Sequence, residues 1–64
     1  MTQKELLYVE DAVGHETSLI SILEDTIDNL TSKDLVNFLK GELKKHESTK
    51  EKLMNKLEEL SNEW

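Results

Sequence analysis

The 64-residue chain has no cysteine and no proline, two glycines, and one each of tryptophan, tyrosine and phenylalanine. Without cysteine there are no disulfides, no thiolate nucleophile, and no cysteine-based zinc or iron–sulfur site. Apolar runs are short. Nothing approaches the ~18 consecutive apolar residues of a membrane span, and the opening MTQKELLYVEDAV lacks a signal-peptide core. A soluble cytoplasmic protein is expected, with no membrane partner. Positive charge is scarce: eight basic side chains face fourteen acidic ones, a formal charge of -6. Such a chain repels the phosphates that supply most non-specific nucleic-acid affinity, so nucleic acid is not an expected partner. There is also no nucleophile–base pair, Gly-rich phosphate loop or Cys–His cluster, and the expectation is that the protein is not an enzyme.

What remains is a helical pattern unbroken by proline. Leu6, Val9, Val13, Glu16, Ile20, Leu23, Ile27 and Leu30 recur at spacings of three and four, the seam of a coiled-coil-like helix. Val36, Leu39, Leu43, His46, Lys50, Leu53, Leu57, Leu60 and Trp64 repeat the pattern. Thr2 followed by Glu5 has the form of a capping box, while Thr31 and Ser32 are N-cap candidates for the second helix, with Asp34 in its first turn. The pattern predicts a single unit over residues 1–64, with a helix at about 3–30, a turn at about 31–33 and a helix at about 34–62. Two rods of roughly 42 Å joined by so short a turn must run antiparallel.

Leu7, Ala12, Leu19 and Ile22 widen the apolar face of the first helix, and Leu35, Phe38 and Met54 do so for the second. One neighbour cannot cover that surface. A domain this short buries only about 60% of its unfolded surface, and without disulfides self-association is the natural reinforcement. The fold class expected is therefore all-α: an antiparallel two-helix hairpin that dimerises with a second copy into a four-helix bundle.

Three seam residues are polar: Glu16, His46 and Lys50. Pairing the helices across the turn places Ile20 beside His46 and Glu16 beside Lys50, so the three form one layer near mid-length. The first reading is a structural polar layer, a Glu16–Lys50 ion pair assisted by His46, which sets register and orientation at some cost in stability. The alternative is a divalent-metal site using His15, Glu16 and His46, since bundles build metal centres from inward-facing carboxylates and imidazoles. Against that alternative, the Lys50 ammonium competes with a cation. Asp11 with His15, and Glu42 with His46, are also acid–His pairs four apart, for which solvated surface pairs are the default. Gly14 either admits a close neighbour or is a tolerated surface glycine. Tyr8 reads as a rim aromatic. The lysines at 44, 45, 50, 52 and 56 read as a solvated basic band that offsets acids of the first helix.

The stretch Lys4-Glu-Leu-Leu-Tyr-Val-Glu-Asp-Ala-Val-Gly-His-Glu16, with Leu43-Lys-Lys-His-Glu47 on the second helix, resembles the small spore coat protein F-like family of endospore-forming bacteria, whose members are ferritin-like. The matching positions are Glu10, Asp11, Gly14, His15, Glu16 and His46. The resemblance implies a two-helix unit dimerising into a ferritin-like bundle, with a structural or accessory role in the spore or its coat. Other coat or cytoplasmic proteins would then be further partners. A ferritin-like iron centre needs Glu-x-x-His, and Leu43 stands where that glutamate would be. The expected outcome is thus a non-enzymatic structural or interaction protein with no cofactor. A metal-binding bundle is its alternative.

Overall fold

The computed structural model describes residues 1–61, and the expected seam position of Trp64 lies outside them. Two helices, α1 (Gln3–Asp28) and α2 (Lys33–Ser61), pack against one another as an antiparallel hairpin. The capping box at the start of α1 is present in both directions. The Glu5 N–H donates to Thr2 Oγ1 at 3.1 Å, and the Thr2 N–H donates to Glu5 Oε1 at 2.8 Å. Two of the N–H groups that the first turn leaves without helical partners are thereby satisfied.

Helix α1 stops at Asp28, two residues before the end the periodicity predicts. The cause is Asn29, whose side-chain amide donates to the Asp25 carbonyl at 2.7 Å while its backbone N–H reaches back to Thr26 at 3.1 Å. These bonds close off the last carbonyls and divert the backbone. Leu30 keeps its place at the seam, half-buried, without being helical. Of the two N-cap candidates, Ser32 is used: its Oγ accepts from the Leu35 N–H at 3.4 Å, and α2 begins one residue earlier than expected. Asp34 occupies the first turn of α2, where a carboxylate suits the positive helix end.

Labelling the seam a and d gives a = Leu6, Val13, Ile20, Ile27 and d = Val9, Glu16, Leu23, Leu30 on the α1 side. On α2, a = Val36, Leu43, Lys50, Leu57 and d = Leu39, His46, Leu53, Leu60. All sixteen are half-buried, and the residues flanking them are almost all exposed. The hairpin is a single layer, 48 × 15 × 11 Å, in which no described side chain is fully buried. Each seam residue has a neighbour on one side and water on the other. Seven large apolar side chains off the seam, Leu7, Tyr8, Leu19, Ile22, Leu35, Phe38 and Met54, are 41 to 64% exposed.

Candidate functional site

Glu16 is a d residue of α1 and His46 a d residue of α2, so helical phase aims both into the seam. They meet there. His46 Nδ1 lies 2.6 Å from Glu16 Oε2, with 31% of the histidine and 17% of the glutamate side chain exposed. An ionised carboxylate only accepts, so opposite one, Nδ1 is the donor of such a bond. The separation is slightly shorter than the about 2.7–2.9 Å usual for nitrogen donors to carboxylates, and the bond orients the ring. It also joins residues thirty positions apart in the chain.

The expected partner of Glu16 was Lys50, and the structure gives it His46 instead. A compact imidazole can place an N–H inside the seam, whereas a strongly hydrated ammonium on a four-carbon stem keeps its head near water while the stem packs. Lys50 does stay half-buried at its seam position. It lines an open cleft of about 430 Å³ with Ile20, Glu47, Glu51, Met54 and Asn55. Glu47 and Glu51 line the same cleft, and a long lysine stem at a seam position keeps its ammonium near water.

His15, one residue from Glu16, is exposed on the flank of α1 and is not brought to the Glu16–His46 pair. Among the described residues no group of three His, Cys, Asp or Glu side chains converges. Glu42, four residues before His46, is drawn to Lys45 Nζ at 3.3 Å, so the carboxylate that offered a Glu42–His46 chelate is engaged in an ion pair with a residue three positions on. The pair at the seam could donate two ligands to a metal, one carboxylate and one imidazole. A structural or catalytic ion in a bundle takes more.

Other polar groups near the layer are satisfied locally. Thr17 donates to the Val13 carbonyl at 2.9 Å and Thr49 to that of Lys45 at 2.9 Å, so neither hydroxyl is spent across the seam. Tyr8 is exposed, with Lys4 Nζ 5.9 Å from its ring centroid. A Cβ built on Gly14 or Gly41 meets nothing within 4 Å. Within one chain, then, Gly14 accommodates no close neighbour.

No protein-family model, curated protein or solved structure matches this chain. The reading of its function therefore rests on its own residues. The feature that spacing alone did not deliver is the Glu16–His46 bond. Its signal was available in principle, because both residues sit at d and antiparallel d positions approach diagonally. Choosing between diagonals one turn apart requires the side chains themselves.

Proposed function

We propose that the protein is a non-enzymatic structural or interaction protein that works as a homodimeric four-helix bundle, with a place in the spore or its coat. The supporting observation is the missing second layer. A compact 7.4 kDa monomer exposes about 4,200 Å². The hairpin exposes 5068 Å². The excess is close to the ~800 Å² per partner of an ordinary stable interface, and large apolar side chains such as Ile22 and Phe38 stand exposed on the hairpin. Packing two hairpins face to face supplies a core for both. The Glu16–His46 bond then serves as a register pin in the seam, in the manner of single polar residues in coiled coils.

Light scattering coupled to size exclusion at micromolar concentration tests the assembly: the expected mass is twice 7.4 kDa. A stably folded monomer overturns it. The spore assignment comes from the resemblance of the Lys4–Glu16 and Leu43–Glu47 segments to the coat protein F-like family, and from the bundle such a hairpin would build. Fractionation of sporulating cells with immunodetection tests it, and confinement of the protein to vegetative cytoplasm overturns it.

A second reading, a metal-binding ferritin-like bundle, is favoured by one observation: the carboxylate and imidazole of Glu16 and His46 are already adjacent. A bundle of two copies would hold two such pairs. Metal analysis of tag-free protein, together with melts in zinc, manganese and iron, tests this reading. At 100 times its dissociation constant a bound ion adds about 2.7 kcal/mol. No bound metal and no shift removes the reading.

A further inference from the structure

Seven large apolar side chains stand off the seam, and they are not spread evenly round the hairpin. At 100° per residue, Tyr8 and Ile22 fall at heptad position c of α1 and Leu19 at g, with Ala12 and His15 continuing the same stripe. On α2, Phe38 falls at c and Leu35 at g. In an antiparallel pair the g sides of both helices lie on the same face of the hairpin. Five of the seven exposed apolar residues therefore share one face; only Leu7, at b, and Met54, at e, lie on the other. This c/g stripe sits roughly 100° from the a/d seam, close to the right angle between neighbours in a square four-helix bundle.

Along that face the apolar residues are concentrated at the turn end. Leu19 and Ile22 precede the end of α1, and Leu35 and Phe38 follow the start of α2, all within about 14 Å of the turn at 1.5 Å per residue. Farther out, the α2 part of the face carries Lys52 together with two ion pairs, Lys45–Glu42 and Lys56–Glu59. The two helices also differ in charge. Gln3–Asp28 has one lysine against seven acidic residues, of which only Glu5 falls on the c/g stripe, whereas Lys33–Ser61 has seven lysines against six.

We infer that a second copy of the chain docks on this c/g face with the twofold axis parallel to the helices, so that the two turns lie at the same end of the bundle. The inference rests on the homodimer proposed above and specifies its face and polarity. Only two twofold arrangements stack the faces. With the axis parallel to the helices, α1 of each copy lies antiparallel against α2 of the other. The four turn-end apolar residues of each copy then stack on those of the second, and Glu5, the one acid on the α1 part of the face, lies level with Lys56 of the second copy. With the axis perpendicular to the helices, each α1 lies on its own symmetry mate. Leu35 and Phe38 then oppose the lysine-bearing outer part of α2. The turn-end apolar cluster, with Glu5 level with Lys56, chooses the first arrangement. All neighbouring helices are antiparallel in it, and the Glu16–His46 bonds of both copies lie at one level.

The absence of cysteine makes the test direct. A spin label on Thr31→Cys reports the turn-to-turn distance by pulsed electron resonance in otherwise unaltered protein. Turns at the same end give a separation on the order of two helix spacings, about 20 Å. Turns at opposite ends give about the 48 Å length of the rod, which overturns the polarity and leaves the homodimer standing. Sedimentation of two double variants tests the face. Ile22→Lys with Phe38→Lys is expected to weaken association by about 100-fold or more, and Leu7→Lys with Met54→Lys by much less. The reverse ranking overturns the choice of face while the dimer stands. An unsubstituted protein that is monomeric by light scattering overturns the homodimer, and the docking mode with it.

Discussion

The seam and the flank of this hairpin are both lines of apolar residues at heptad spacing, yet only the seam is covered within one chain. Leu23 and Leu39 are half-buried between helices, while Ile22 and Phe38, each one residue before them, are 60 and 64% exposed. The seam is interrupted by a hydrogen-bonded polar pair at mid-length; the flank stays largely apolar as far as Tyr8 on α1 but passes into charged residues beyond Phe38 on α2. One line carries the information for pairing α1 with α2. The other carries surplus surface, which is informative only once a second molecule is present.

The largest effect should come from breaking the seam itself. Leu39→Ala or Leu23→Ala is expected to cost about 2–3 kcal/mol by urea denaturation, the lower part of the range for buried leucines because these are half-exposed in one chain. If the flank couples folding to association, the midpoint also rises with protein concentration. A concentration-independent midpoint would detach the flank from stability altogether.

Next in size is the polar interruption. Glu16→Ala and His46→Ala are each expected to destabilise by about 1–2 kcal/mol, with a coupling energy of at least ~0.5 kcal/mol in a double-mutant cycle. The parallel cycle of Glu16→Ala with Lys50→Ala should be nearly additive. Strong coupling to lysine and none to histidine would reverse the pairing described here.

Smaller, and opposite in sign, is the effect at the glycines. Because a Cβ at Gly14 or Gly41 meets nothing within 4 Å, alanine at either position should stabilise by about 0.5–1 kcal/mol. Gly14 is at heptad position b, on the same side as Leu7. Destabilisation by Gly14→Ala alone would mean that a neighbouring chain presses on that side, not on the c/g face.

The smallest effect is expected at the exposed capping box. Hydrogen bonds from the Thr2 backbone and side chain hold the Glu5 carboxyl below its ordinary value, so its ionised form is favoured in the folded chain. The stability it contributes is complete above the ordinary glutamate range and disappears as pH falls through the lowered value. Glu5→Gln should therefore melt slightly below the parent at pH 7. The two melting curves should converge in acid.

Much of this was legible beforehand, for a physical reason: a helix repeats every 3.6 residues, so which side chains face a neighbour follows from spacing alone. Every predicted seam position from Leu6 to Leu60 is half-buried in the structure. The helix ends were less legible, because they depend on single side chains. Asn29 ended α1 two residues before the expected end at about residue 30, through an amide-to-carbonyl bond that no periodicity announces. The partner of Glu16 was less legible still. Histidine and lysine occupy adjacent layers of one seam, and the choice between them turned on hydration of an ammonium and reach of a ring, quantities that spacing does not encode.

A four-residue connection between rods of 26 and 29 residues also orders events in time. Layers next to the turn close short loops, and each layer farther out closes a longer one, so the hairpin zips from the turn and frays from its free ends. Moving inward from those ends, an opening front passes apolar layers that yield by degrees and then reaches the Glu16–His46 bond, which yields in one step. Backbone amides on the turn side of that bond should exchange with solvent as one slow block, and those beyond it as a faster one. The register pin would then act as a kinetic latch, holding the turn half closed while the outer half breathes.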